Sequence, residues 1–127
     1  TSSRVAVSGS VGIGTESPAE SLHVRGDNAA VVVHTSQTAN AGDTARLIFS
    51  HAFTDDIYKN DPSTEAGQYI GRQTQIASVA SGTWGQEPYL AFRTSHATNQ
   101  APENRVVIRE DGKVGVGTTY PAAQLHV

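Results

Sequence analysis

The chain has 127 residues, room for one domain or for one domain with connector pieces. A net charge of −3 and a pI near 5.9 give a nucleic acid or an anionic membrane nothing to hold, and 37% hydrophobic with 6% aromatic residues is lean for an independent core. The absence of cysteine excludes disulfides, thiolate zinc clusters and thiol nucleophiles, and no apolar run approaches the eighteen residues of a membrane span.

Residues 5–7 (Val-Ala-Val) read as a short strand. Residues 9–24 then form a three-part motif. Val11-Gly12-Ile13-Gly14 alternates apolar residues with glycine, so a strand there shows Val and Ile on one face and bare backbone on the other. Such a glycine face implies a close approach by other backbone. Ser17-Pro18-Ala19-Glu20 carries the signature of a short helical turn, with Ser17 as N-cap, Pro18 at the first position and Glu20 closing a capping box. Leu22-His23-Val24 alternates again, with His23 expected to face outward.

Arg25-Gly26-Asp27-Asn28 reads as a turn. The β-branched run in residues 29–34 favours a strand, and residues 35–43 are polar and turn-like. Residues 45–51 read as a strand with Leu47 and Phe49 on one face. Residues 54–67 are the longest loop candidate, of a length that is usually functional or disordered. Extended character resumes over residues 68–79. Residues 81–88, with Trp84 between two glycines, read as a hairpin tip. Residues 89–94 and 105–109 are two further strands, separated by a polar loop over 95–104.

The chain closes on a second copy of the motif, Gly112-Lys113-Val114-Gly115-Val116-Gly117-Thr118-Thr119-Tyr120-Pro121-Ala122-Ala123-Gln124-Leu125-His126-Val127. Ten of its sixteen positions match residues 9–24. Glu110-Asp111-Gly112-Lys113 provides a turn before it, where the first copy has Ser8-Gly9-Ser10. Tyr120 and Ala123 replace the capping residues, so the second cap is weaker. Each copy holds too few apolar side chains for a core of its own, a shortage relieved if copies from several chains meet around an axis.

The pattern Val-Gly-Ile-Gly-Thr-x-x-Pro-Ala-x-x-Leu-His-Val resembles the connector repeat of phage tail fibres and of the trimeric, mosaic adhesive surface fibres of predatory bacteria. More loosely, Tyr69-Ile70-Gly71-Arg72, Tyr89-Leu90-Ala91-Phe92-Arg93 and Arg105-Val106-Val107-Ile108 are similar to strands that precede the connector in such fibres. The motif copies cover about a quarter of the chain; the region between them shares only the rhythm. Nothing matches the self-cleaving chaperone domain that ends many of these fibres. The resemblance implies an intertwined homotrimer, all-β, with Gly-rich connector strands at both ends. Residues 1–28 and 105–127 would be connectors, and 29–104 a receptor-recognition head. Such a fibre works outside the cell, on a virion or a cell surface. The chain opens on Thr1 with no signal-peptide pattern, as an excised fragment would, any export signal lying elsewhere.

No constellation points to an enzyme. There is no Gly-x-Ser-x-Gly, and Gly12-Ile13-Gly14 lacks the third glycine and the βαβ setting of a dinucleotide site. Asp55, Asp56, Asn60 and Asp61 offer oxygens but lack the spacing and bidentate Glu of an EF-hand, which favours a solvated acidic loop. Five scattered histidines show no metalloenzyme spacing; three copies of His23 or His126 at a three-fold axis are the one arrangement that would hold a metal or an anion. Arg25-Gly26-Asp27 spells an integrin-type tripeptide, a chance match in a turn. No metal and no cofactor is expected.

Sugar recognition uses aromatic faces with hydrogen-bonding side chains. Among Phe53, Tyr58, Tyr69, Arg72, Trp84, Tyr89 and Arg93, the ligand-binding candidates are Trp84, Tyr58, Arg72, Tyr89 and Arg93; a subunit interface or core packing explains the same residues without a ligand. The expected function is adhesion to a cell-surface glycan or envelope component of a target bacterium. The alternative is a spacer that binds nothing. A polysaccharide-degrading tailspike would need paired carboxylates in a groove.

Overall fold

A computed structural model describes residues 5–35, 41–50, 73–82, 87–95 and 102–127. Every helix or strand among them is a strand, so the all-β expectation holds. The chain divides into two compact units, Thr1–Val32 and Val33–Val127.

In the first unit, β1 (Val11–Ile13) and β2 (Leu22–Val24) pair in parallel, with Val11 opposite Leu22, Gly12 opposite His23 and Ile13 opposite Val24. Parallel strands usually need a crossover of a dozen or more residues; here residues 14–21 suffice. The close approach implied by the glycine face is the reason. A Cβ on Gly12 would run into the backbone carbonyl oxygen of Thr15, so the chain can fold back this tightly only where that side chain is missing.

The second unit is one sheet of six strands in sequence order: β3 (Thr44–Ser50), β4 (Gln73–Val79), β5 (Tyr89–Thr94), β6 (Glu103–Ile108), β7 (Val114–Val116) and β8 (Leu125–His126). Neighbours are antiparallel from β3 to β7, and β8 joins β7 in parallel. Residues 89–94 form a strand as read from the sequence, and Leu47 and Phe49 share a face of β3. The Asp-Gly turn also forms. Gly112 N–H donates to the Arg109 carbonyl at 2.9 Å, Arg109 N–H donates to the Lys113 carbonyl at 2.9 Å, and Gly112 takes φ +84°, the left-handed position of a three-residue hairpin loop.

Three expectations fail. The motif's middle is not helical: residues 16–17 and 19–21 are bends. Side-chain acceptors capture its N–H groups before a helical turn can, since Thr15 Oγ1 accepts from Ser17 N–H at 3.2 Å and His23 Nδ1 from Ala19 N–H at 3.1 Å. His23 therefore does not face outward; it is half-buried and folded back on its own turn. Residues 5–7 and 29–34 form no strand. Both runs carry β-branched residues, but neither has a ladder partner among the described residues, and Val5 is 95% and Val32 82% exposed.

The sheet's two faces differ. Ala77, Val79, Ala91 and Val107 are the buried hydrophobics, with Tyr89 packed against them, and Gln73 and Gln75 are buried on the same face. Call this the inner face. The opposite, outer face holds Leu47, Ile76, Phe92, Leu90 and Ile108, all exposed. Alternation along β4 makes the division plain: Gln73, Gln75, Ala77 and Val79 are buried, Thr74, Ile76 and Ser78 exposed.

Candidate functional site

Tyr89 and Arg93 lie four residues apart on the inner face of β5, with Ala91 between them. Across the ladder, a bulge between Phe92 and Arg93 shifts the register so that Arg93 faces Asn104 of β6. That shift makes a polar cluster. Arg93 Nε donates to Asn104 Oδ1 at 2.7 Å; Asn104 Nδ2 in turn donates to Tyr89 Oη and to Thr119 Oγ1, each at 3.4 Å. The short first bond is charge-assisted; the two long ones are weak. The guanidinium is thus tied to a side chain that also touches the last connector turn.

Beyond Tyr89 the cluster continues into a cation sandwich. The Arg109 guanidinium lies 4.5 Å from the Tyr89 ring centroid and 5.7 Å from that of Tyr120. Its charge is met by Glu110, whose carboxylate oxygens lie 3.0 Å from Nε and 3.3 Å from the terminal nitrogen. Gln75, in register with Arg93, donates from Nε2 to Gln73 Oε1 at 3.3 Å, and its own buried Oε1 has no partner among the described residues.

Of the five residues expected to meet a ligand, the structure brings Tyr89 and Arg93 together through Asn104. Trp84, Tyr58 and Arg72 lie outside the described residues, as do Phe53, Tyr69, the Asp55–Asp61 loop, His51 and His96. Arg109, Asn104 and Tyr120 were not anticipated. Tyr120 is 79% exposed and presents an open aromatic face beside a cation. Its signal in the sequence is the substitution of an aromatic for Ser17 at a matched motif position.

Chemically, the cluster offers hydrogen bonds, a cation and an aromatic surface. It contains no nucleophile–base pair, and among the described residues no group of three or more His, Cys, Asp or Glu side chains could hold a metal ion. His126 repeats His23: its Nδ1 accepts from Ala122 N–H at 3.1 Å. No helix among the described residues is long and apolar enough to cross a membrane. In the first unit, Gly14, Thr15, Glu16, Ser17 and Arg25 line a wide-open polar depression of about 670 Å³.

The chain matches no protein-family model and no curated protein.

Proposed function

We propose that this chain is a non-enzymatic module of a repetitive extracellular fibre, a phage tail fibre or a tail-fibre-like surface adhesin. Three copies associate, and the region between the connectors is displayed to bind a cell-surface glycan or envelope component of a target bacterium. One observation carries the modular part of this reading. Two sequence copies at opposite ends of the chain fold into the same parallel pair, with Val11 opposite Leu22 and Val114 opposite Leu125, and with the same two side-chain-to-backbone bonds in the turn. An element that folds the same way in two settings is suited to joining modules in series. Weak sites would gain avidity from three copies per fibre and many fibres per particle or cell.

The second reading, a spacer that sets fibre length, is favoured by a specific observation. Arg93 and Tyr89 spend their polar groups on Asn104, inside the protein. Under the adhesin reading, the same bonds leave recognition to Trp84, Tyr58 and Arg72.

Light scattering on the isolated chain tests the assembly, with a mass near three times 13.4 kDa expected. A folded monomer would sink the fibre reading. A bacterial glycan array then separates adhesin from spacer. The adhesin binds and loses binding on Trp84→Ala; the spacer binds no sugar.

A further inference from the structure

The second unit wears its apolar side chains on the exposed side. Ladder partners on the outer face line up in two rungs. One runs Leu47, Ile76, Phe92, Val106 and Val116 across β3 to β7; the other runs Ala45, Ser78, Leu90, Ile108, Val114 and Leu125 across all six strands. Neither rung contains a charged residue. Leu47 is 55% and Leu125 63% exposed, with Ile76, Phe92, Ile108 and Val116 close to 40%. Arg46, Arg93 and Arg109 sit on the other face, on the side of the buried alanines, while Glu103 and Arg105 pair at the end of the outer face beside Thr94. A sheet that buries alanine and glutamine while exposing leucine and phenylalanine is incomplete as an isolated body.

We infer that the outer face of this sheet is the contact surface between copies of this chain. The inference deepens the fibre reading above and rests on it for the choice of partner. With Leu90 at 36% and Phe49 at 49% on the same face, these exposures amount to roughly 650 Å² of surface, at the top of what a monomer usually leaves in one patch and approaching the ~800 Å² per partner of a stable interface. The two rungs are charge-free, and the Glu103–Arg105 pair beside them is met within itself at 3.1 Å, so an occupant of the rungs must be apolar and uncharged too. On the two rungs a glycan would find only the Ser78 hydroxyl to bond, and at their edge an anionic lipid surface would meet Arg105 already paired with Glu103. The chain carries a matching surface of its own. In the first motif copy Ile13 and Leu22, on the same side of the parallel pair, are also more than half exposed. Apolar exposure therefore recurs wherever the motif does, as it must if copies meet each other along their repeats. Closed symmetry lets one such patch be satisfied by its equivalent on another copy.

The chain has no cysteine, which makes single-cysteine labelling clean. Ser78→Cys places a near-isosteric thiol on an exposed outer-face position, and Asp27→Cys places one in an exposed turn as reference. Maleimide should modify Ser78→Cys at least tenfold more slowly than Asp27→Cys in the assembled protein, and Phe92→Glu should drop the light-scattering mass to that of one chain. If the wild type assembles but Ser78→Cys reacts as fast as Asp27→Cys, the contact lies elsewhere; this inference fails and the fibre reading stands. If the wild type is a folded monomer, the fibre reading fails and this inference with it. Protection of Ser78→Cys that appears only on adding neutral lipid vesicles would give the face to a lipid and overturn the proposal. Should Phe92→Glu not fold, the labelling comparison decides alone.

Discussion

In the first motif copy β1 has a ladder neighbour on one side, β2; in the second, β7 has β8 on one side and β6 on the other. The parallel pair, the folded-back histidine and the threonine-capped bend are the same in both. Those features are therefore properties of the sixteen residues and need no sheet around them. What the sheet adds is burial. Gly12 is exposed, whereas Gly115 is buried, because Val107 of β6 packs on it. The motif is a self-contained fold-back that a neighbouring strand can recruit.

The largest effect should come from the glycine at the crossing. Gly12→Val and Gly115→Val both push a side chain into a carbonyl oxygen, of Thr15 or of Thr118, and backbone cannot yield there. Gly115→Val must also displace the Val107 side chain, 3.2 Å from the added Cβ, in the buried face of the sheet. A loss of about 3 kcal/mol or more is expected for Gly115→Val, at the upper end of single-substitution effects. Gly12→Val should disrupt the first unit and leave the six-stranded sheet standing. Thermal denaturation of both variants checks this; equal losses of global stability would mean that β6 adds nothing to the second copy.

Next in size is the histidine. His126→Ala and His23→Ala each remove the acceptor of one backbone N–H, a net loss of roughly 1 kcal/mol apiece. Amide hydrogen exchange at Ala122 and Ala19 should speed up by similar factors in the two variants, since the bond is 3.1 Å in both. A large difference would show that the motif is not the self-contained unit described above.

How far the sequence discloses this architecture depends on whether the deciding interaction is local. The alternation of residues 89–94 and the Asp111-Gly112 turn are written within a few residues, and both form as read. Val31-Val32-Val33 has the propensity of a strand, yet a strand exists only where a second backbone meets it, which no local pattern can supply. The capping box over Ser17 to Glu20 lost to an acceptor, His23, that reaches back along the chain from β2. For the candidate cluster, Tyr89 and Arg93 were legible as same-face residues. Their union through Asn104 was not, because it hangs on a one-residue bulge that moves the partner strand's register.

A smaller difference between the copies lies in Arg109. It bridges Tyr89 and Tyr120 in the second copy, and the matched position in the first holds Ser17 in place of Tyr120. Arg109→Ala should destabilise the second unit by about 1 kcal/mol through lost ring contact and stem packing. Tyr120→Ser, which copies the first motif, should produce only part of that loss, because Tyr89 at 4.5 Å is the nearer ring. Denaturant titration of both variants checks the order. A Tyr120→Ser loss equal to that of Arg109→Ala would make the exposed ring the main partner.

The smallest effect concerns the turns that lead into the two copies. Asp111 accepts from Lys113 N–H through Oδ1 at 3.1 Å and pairs with Lys113 Nζ through Oδ2 at 2.9 Å, while Ser8-Gly9-Ser10 offers no carboxylate before the first copy. The Lys113 side chain, and then its backbone N–H, hold the Asp111 carboxyl below its ordinary value of 3.8. A carboxyl whose folded value is lowered stabilises the fold above its unfolded value and loses that contribution as pH falls through the lowered one. Acid should therefore loosen the β6–β7 turn only below pH 3.8, and the Ser8-Gly9-Ser10 turn should not respond through this route. Lys113 amide exchange, corrected for its intrinsic pH dependence, reports the change. Asp111→Asn keeps the Oδ1 acceptor without the charge and should remove the pH response while retaining part of the protection. A Lys113 amide that loses protection equally in wild type and Asp111→Asn would place the acid sensitivity in some other group of the sheet.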